Sequence, residues 1–422
     1  MGWRSWNLYG RNVNQKLIMS IMDGMVNRSR LVDGKPTSLC DLGYCDVGLD
    51  DMWQACGEYG KDHYTYHSES GIPKVDENLF PDFKKMTDYA HKLGLTAGWY
   101  LNNCICPDHC GDDSWTSESD PKCYKGDVEM LIKYGFDSVK LDGCGAQKDI
   151  QTWADIMNQT GKPIMIENCH WGNTVPTADW CPFNFYRTSG DVRASYGSVL
   201  DNLGTVTKFA EQNLSRPGCW AYPDMLEVGC QHGPGGSGDP GLSPAETRTH
   251  FGSWSIVSSP LTLSHDLHND TIVDQIWPII ANPEAIEVNQ RWYGHSGSPF
   301  KNAAETIKLE KYQDEGSIII TLENSSEYEF PAWQYLYKPV SQNAVAVLLM
   351  NSRDQVANLE LHFADIPGLS CKTCFVRDIW KRQDVGKFKN GFIAQNVSSH
   401  DAAFLLVSES KRIDGWPVPS EA

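Results

Sequence analysis

Through the first two thirds of the chain, short apolar runs alternate with longer amphipathic ones. The apolar runs lie around residues 2–6, 45–50, 95–101, 136–142, 163–168, 183–188, 219–222 and 261–264, and have the length of buried strands. Between them, segments 15–25, 81–93, 126–134, 150–159, 198–212 and 245–257 carry apolar residues at helical spacing. Eight strands, each followed by a helix, predict an α/β fold of the parallel (β/α)8 TIM-barrel type. A doubly wound open sheet is the alternative, but no glycine-rich phosphate loop follows the first strand. Long polar inserts occupy 102–123 and 228–243. The second is rich in glycine and is expected to be a loop on the rim of the barrel.

Near residue 295 the pattern changes. His295-Ser-Gly-Ser-Pro299 reads as a linker. Beyond it, short runs recur without helices at 306–309, 317–322, 332–338, 344–350, 358–363, 373–379, 391–396 and 403–407, the pattern of an antiparallel β-sandwich. The expected domains are therefore a barrel over 1–294 and a C-terminal β-sandwich over 295–422.

Composition narrows the classes of function. No apolar stretch reaches the roughly 18 residues of a membrane span. A net charge of −18 over 422 residues argues against a nucleic-acid partner and suits a neutral substrate. Fourteen cysteines accompany six N-x-S/T sequons, at Asn27, Asn158, Asn213, Asn269, Asn324 and Asn396. Together they favour an oxidising, secretory route, hence a secreted or lysosomal/vacuolar protein. The chain begins inside a strand with no signal peptide, as a mature or trimmed chain would. Cys371-x-x-Cys374 has no second pair or histidine cluster nearby, so a local disulfide is preferred to a redox or metal site. A monomer or homodimer is expected.

In Ser138-Val-Lys-Leu-Asp-Gly-Cys144, Lys140 and Asp142 sit two apart, so a strand points both into one cavity. The lysine is expected to keep the carboxylate ionised, as a nucleophile requires, and a structural ion pair is the plain alternative. Barrel active sites form at the C-terminal ends of strands. Those ends carry Trp6, Asp50, Asp51, Tyr100, Lys140, Asp142, Cys169, His170, Trp171, Arg187, Asp191 and Asp224. The set holds carboxylates and aromatics but no H-x-H or H-E-x-x-H metal motif, and no G-x-S-x-G elbow occurs. Paired acids with aromatic walls are the equipment of glycoside hydrolysis.

Five motifs carry a family resemblance: Met1-Gly-Trp-x-Ser-Trp-Asn7, Gly43-Tyr-x-x-Val-x-Leu-Asp-Asp-x-Trp53, Lys140-Leu-Asp-Gly-Cys144, Arg187-Thr-Ser-Gly-Asp191 and Pro223-Asp-Met-Leu226. In number and order they resemble glycoside hydrolase family 27, the retaining α-galactosidases and α-N-acetylgalactosaminidases. Ser259-Pro260-Leu261, Asn282-Pro to Gln290 and Val376-Arg377-Asp378-Ile379-Trp380 extend the match over nearly the whole chain.

The resemblance implies Asp142 as nucleophile and Asp191 as general acid/base, with no metal or cofactor and an α-galactoside oligosaccharide or glycoconjugate as substrate. Asp191 needs a raised pKa, so Arg187 is expected to contact the sugar or the surroundings of Asp142 instead. A helix N-cap is the alternative role for Asp191. Asp50 and Asp51 are implied to bind the 4- and 6-hydroxyls, the alternative being a cap beside a solvated acid. Trp6, Tyr100, Lys140, Cys169, His170, Trp171, Arg187, Asp224 and Met225 complete the expected substrate pocket. Many α-galactosidases have glutamate where this chain has His170, and neither His170 nor Asn173 is small. That favours galactose over N-acetylgalactosamine, with a pocket for another galacto- or arabino-configured sugar as the rival and a non-catalytic carbohydrate-binding protein beyond it. A His170 that merely faces its loop is also weighed. For the cysteines, the expected pairs are Cys144 with Cys104 or Cys106, Cys169 with Cys181, and Cys45 and Cys56 with partners near Cys40.

Overall fold

A computed structural model describes residues 1–60, 63–102, 104–106, 108, 110, 121–310 and 327–417. Eight strands form one parallel sheet: β1 (Gly2–Arg4), β2 (Asp46–Gly48), β3 (Thr96–Leu101), β4 (Ser138–Asp142), β5 (Met165–Cys169), β6 (Phe185–Arg187), β7 (Trp220–Tyr222) and β8 (Thr262–Leu263). They hydrogen-bond in the order β8-β1-β2-β3-β4-β5-β6-β7. The sheet curls so that Leu226 N–H, just after β7, donates to Thr262 O of β8 at 2.8 Å across the seam. This is the barrel read from the sequence, and the expected runs contain all eight strands apart from the last residue of β5, Cys169.

Glycine shapes the barrel interior. A Cβ on Gly48 or Gly98 would lie 1.6 or 2.2 Å from Nη1 of Arg4. Arg4 therefore fills the centre of the sheet over two bare strand positions, reaching Asp46 at 3.3 Å and Glu167 at 3.5 Å.

The helices are α1 (Trp6–Tyr9), α2 (Gln15–Val26), α3 (Phe83–Lys92), α4 (Pro121–Tyr134), α5 (Ile150–Gln159), α6 (Tyr196–Gly204), α7 (Thr207–Glu211), α8 (Pro244–Ile256), α9 (Asp270–Ile280) and α10 (Pro283–Gln290). Three expectations are corrected. No helix lies between β5 and β6, where 170–184 is irregular. The single helix expected at 198–212 is two, because Gly204 is a poor helix former and the Thr205 hydroxyl folds back onto Asn202 O at 2.6 Å. Helix α4 starts five residues early, with Pro121 at a first-turn position that needs no N–H.

The C-terminal strands are β9 (Ser298–Asn302), β10 (Thr306–Glu310), β11 (Glu327–Pro331), β12 (Trp333–Ser341), β13 (Ala344–Asn351), β14 (Ala357–His362), β15 (Thr373–Asp378), β16 (Gln383–Lys389), β17 (Gly391–Val397) and β18 (Ala402–Ser408). An antiparallel sheet runs β9-β12-β13-β18-β15-β16, and β14 pairs with β17. One face of the larger sheet packs Val345, Val347, Leu349 and Val407 on Leu359, Leu361 and Ala394 of that pair. The other face sends Leu336, Leu348, Phe404 and Leu406 into the barrel's core. A Cβ on Gly252 of α8 would lie 2.9 Å from Leu348. Buried on both sides, β13 reads as an unbroken apolar run. Strand β16 was missed because it is a charged edge strand, Gln-Asp-Val-Gly-Lys-Phe-Lys. The strand expected at 317–322 and the sequon at Asn324 lie outside the described residues; the other five sequon asparagines are exposed.

Barrel and sandwich are joined by buried polar contacts. Glu284 of α10, fully buried, receives Arg377 Nη2 at 2.7 Å and Nε at 2.8 Å, Arg382 Nε at 3.3 Å and the Trp416 indole at 3.0 Å. This accounts for the Val376–Trp380 motif. Lys338 of β12 donates to Val288 O and Asn289 O at the C-terminal end of α10, at 2.5 and 2.8 Å.

Six disulfides join Cys40–Cys45, Cys56–Cys106, Cys104–Cys144, Cys110–Cys123, Cys181–Cys219 and Cys371–Cys374. Cys144 takes Cys104, Cys45 takes Cys40, and the C-x-x-C closes on itself. Two expectations fail. Cys56 reaches Cys106 rather than the Cys40 region, and Cys181 pairs across to Cys219 at the start of β7. Cys169 is left as a buried free thiol. Among the described residues, no helix is long and apolar enough to cross a membrane.

Candidate active site

Strands β1 to β7 end around one pocket. Its floor is set by β4, which pairs with β3 on one side and β5 on the other, placing Tyr100 opposite Lys140 and Asp142 opposite Cys169. Asp142 is buried and held at both oxygens. Tyr100 Oη donates to Oδ2 at 2.7 Å, and the Gly143 N–H donates to Oδ1 at 2.8 Å. The Asp142 carbonyl accepts from Asn102 Nδ2 at 2.9 Å. The Cys104–Cys144 disulfide lies alongside, its sulfurs within 4.8 Å of the Asp142 carboxylate. A disulfide offers no thiolates, so this trio is a poor metal site.

Lys140 does not behave as expected. Its Nζ bonds Asp50 Oδ2 at 2.7 Å and stands 5.5 Å from the centre of the Tyr100 ring. Burial pushes the Asp142 pKa up to about 7; Lys140 and Tyr100 oppose the shift, and Asp191 and Asp50 add to it. The lysine therefore moderates the carboxylate's pKa without overcoming burial.

Asp50 and Asp51 are both buried, which removes the solvated alternative. The Asp50 N–H donates to Ser5 Oγ at 3.0 Å, and Asp51 accepts from Met52 N–H at 2.8 Å and Cys104 N–H at 3.2 Å. Burial and the neighbouring Asp50 raise the Asp51 pKa against those bonds.

Arg187 also departs from expectation. Its Nη2 lies 2.9 Å from Asp191 Oδ1 and 3.0 Å from Asp224 Oδ2, and its Nη1 lies 3.4 Å from Cys169 Sγ. The depth of the site pushes the Asp191 pKa up, but Arg187 and Lys140 outweigh it and hold it below the usual carboxylate range. Asp191 is not an N-cap: α6 begins at Tyr196, with Ser195 before it. Its side chain is 56% exposed, at the pocket mouth. Asp224 is buried in a strained backbone, φ 96°, and accepts from Val192 N–H at 2.9 Å. Burial raises its pKa to about 6 against Arg187.

Trp6 packs against Phe185, Tyr222 and Met225. Trp171, at φ 49°, lays its ring against Gly143, where a Cβ would lie 3.2 Å away. His170 is buried, with Nδ1 at 2.9 Å from Thr174 Oγ1 and Nε2 without a protein partner. Burial, then Lys148, lowers its pKa to about 4, so the imidazole is neutral. All the expected residues thus converge on the barrel's C-terminal end.

Sequence reasoning missed Ser5, Asn102 and Asn202. Asn102, at φ 59°, ends β3 and ties it to Asp142 and Gln147; an asparagine directly after a buried strand was the available signal. Asn202 is a polar residue within the apolar face of α6.

Two family profiles match the chain. One, described as alpha galactosidase A, covers residues 1–291; the other, described as the alpha galactosidase C-terminal beta sandwich domain, covers 331–407. A probable alpha-galactosidase of Dictyostelium discoideum is 28% identical over 415 residues, 96% of this chain and 91% of the relative. Among solved structures, alpha-galactosidase I from Mortierella vinacea superposes with a TM-score of 0.74 at 24% identity, covering 97% of this chain and 96% of that one. A β-L-arabinopyranosidase from Geobacillus stearothermophilus gives 0.75 at 18% identity, covering 97% and 96%. At these identities the structural likeness is one of fold.

Proposed function

The chain belongs to the alpha-galactosidase A family, glycoside hydrolase family 27, and from that premise we propose that it is a retaining exo-α-galactosidase acting by double displacement. Asp142 attacks the anomeric carbon while Asp191 protonates the departing glycosidic oxygen. Asp191 then takes a proton from water, which releases α-galactose from the enzyme. The observation that carries the assignment is the grip on Asp142. Tyr100 and the Gly143 N–H fix both oxygens at the mouth of β4, so the attacking carboxylate is oriented before the sugar arrives.

The proton inventory of the free protein runs opposite to the catalytic arrangement. In the free protein Asp142 is the more basic of the two acids and Asp191 the more acidic. Between their titrations the pair holds one proton, and catalysis uses the arrangement with that proton on Asp191. Arg187 is shared between Asp191 at 2.9 Å and Asp224 at 3.0 Å, so a shift of its guanidinium toward Asp224 on substrate binding would raise the proton affinity of Asp191.

Asp50 and Asp51 accept from the 4- and 6-hydroxyls, with Lys140 as a donor beside them. An equatorial 4-hydroxyl would leave these buried groups unmatched, which is costly. Neutral His170, standing where many α-galactosidases carry a glutamate, is assigned to the 2-hydroxyl side of the pocket. Six disulfides and exposed sequons favour passage through the secretory route.

The test is Asp142→Asn with an aryl α-galactoside. Turnover should fall by about four orders of magnitude or more with folding unchanged, and normal activity would refute the assignment. Parallel assays with α-N-acetylgalactosaminide and β-L-arabinopyranoside settle the sugar. The arabinopyranoside tests the 6-hydroxyl contact, since that sugar lacks the group.

A further inference from the structure

The acid Asp191 and its neighbour Asp224 arrive on two separate turns, one after β6 and one after β7; their carboxylates share Arg187, and the Val192 N–H beside Asp191 donates to Asp224 Oδ2 at 2.9 Å. The tip of the Asp191 turn lacks packing of its own, although Ser189 before it and Val192 after it are buried. Gly190 is exposed, and a Cβ there would touch nothing within 4 Å. Between those anchors the tip is held by hydrogen bonds.

Asn202 supplies them from α6. It is 4% exposed, and its Nδ2 lies 3.0 Å from Ser189 Oγ, 3.0 Å from Gly190 O and 2.9 Å from Pro223 O. Two N–H bonds thus serve three acceptors on both turns. Ser189 Oγ continues the link to Pro223 O at 3.2 Å, and Thr205 Oγ1, one turn on, meets Thr188 Oγ1 at 2.7 Å. The surrounding face of α6 is Val199, Leu200 and Leu203, where an amide without partners would be unfavourable. The helix is itself braced by the sandwich: Tyr196 stacks on His400 at 4.2 Å.

We propose that Asn202 is a positioning residue for the acid/base, locking the Asp191 turn to the Asp224 turn so that both carboxylates share Arg187 in register. The inference rests on the reading of Asp191 as acid/base. It says that proton delivery, more than sugar binding, depends on this amide.

The experiment compares Asn202→Ala and Ser189→Ala with the parent on two α-galactosides, reading kcat/KM for the bond-breaking step. A dinitrophenyl galactoside departs without a proton; an alkyl galactoside requires one. Asn202→Ala should lose about tenfold more on the alkyl substrate, within the range a displaced general acid forfeits. Ser189→Ala should shift the same way by less, and it decides the matter if Asn202→Ala does not fold. Equal losses on both substrates, or none, overturn the proposal. Asp191→Ala is run alongside with azide. If it shows the substrate-dependent loss and azide rescue while Asn202→Ala does not, only the positioning role falls. If Asp191→Ala shows neither, the acid/base reading falls and takes the inference with it.

Discussion

Replacing Glu284 tests how firmly the β-sandwich is joined to the barrel. Its carboxylate is fully buried and accepts four hydrogen bonds from three residues of the sandwich side. An ion pair at 2.7 Å attracts by about 6 kcal/mol at an effective dielectric near 20, and burying the two ions takes back several kcal/mol of that. Glu284→Ala leaves the Trp416 indole N–H unpaired, at about 1–3 kcal/mol. Arg377 and Arg382 lose less, because Asp384 at 2.8 Å and Asp33 at 2.6 Å still neutralise them. The expected net loss is about 3 kcal/mol. Arg377→Ala should cost as much or more, since the buried Glu284 would keep only Arg382 at 3.3 Å and the Trp416 indole at 3.0 Å. Glu284→Gln, which keeps shape and one acceptor, should cost about half as much. The assay is urea unfolding followed by tryptophan fluorescence and by residual activity. The double variant should be milder than the sum of the singles by at least about 1 kcal/mol. A Glu284→Ala protein within about 0.5 kcal/mol of the parent, or strictly additive losses, would refute the reasoning.

Further outcomes follow from the titrating groups. The profile of kcat/KM against pH should fall above about 7, where Asp142 and Asp191 give up their one shared proton; activity sustained to pH 9 would contradict this. His67 is buried between Asp108 and Asp127, with ring nitrogens 2.9 and 3.0 Å from their carboxylates. Burial would lower its pKa, but Asp127 and Asp108 outweigh burial and raise it from 6.5 to about 10. The imidazolium's stabilisation is therefore complete below pH 6.5 and lost as pH rises through 10. His67→Gln should lose about 3 kcal/mol at pH 6, and its deficit against the parent should narrow by pH 10 in chemical denaturation. Treatment with a chelator should leave turnover unchanged, because the one carboxylate–sulfur cluster among the described residues is closed by a disulfide.

The barrel strands were legible because a buried parallel strand is a short apolar run whatever surrounds it. Strand ends then gave the pocket residues, since the fold class fixes where those ends converge. What sequence could not give were partners. Lys140 stands two residues from Asp142, and adjacency suggested a pair, yet the lysine reaches across the barrel to Asp50, 90 positions away. Arg187 was assigned to the sugar because an acid beside it would be too acidic; it lies against Asp191 all the same, divided with Asp224. Cys169 and Cys181 looked like a pair by proximity in sequence, but β5 turns Cys169 toward Arg187 and away from Cys181. The lysine and cysteine errors came from treating nearness along the chain as nearness in space, which a curled sheet does not respect; the arginine error was the reverse, a true sequence neighbour set aside on the ground of pKa alone.

The pocket's charge explains why the high proton affinity of Asp142 is compatible with its proposed role. Asp50, Asp51, Asp142, Asp191 and Asp224 face two cations, Lys140 and Arg187. Full ionisation would leave three uncompensated negative charges in a site where four of the five acids are buried, so protons are retained where cations are not in contact. Lys140 is committed to Asp50, and Arg187 is divided between Asp191 and Asp224, which leaves Asp142 with neutral donors only, Tyr100 and the Gly143 N–H. An ionised Asp142 is therefore less stabilised here than in water. That deficit becomes an advantage once a sugar carrying an oxocarbenium-like charge stands beside it, because the same low dielectric that raised the pKa strengthens the attraction between carboxylate and cation. A direct salt bridge from Lys140 would have secured the ionised form at the expense of its reactivity. The displacement of that lysine onto Asp50 is thus consistent with a carboxylate kept reactive, and it ties the upper pH limit of activity to the group proposed to perform the first step.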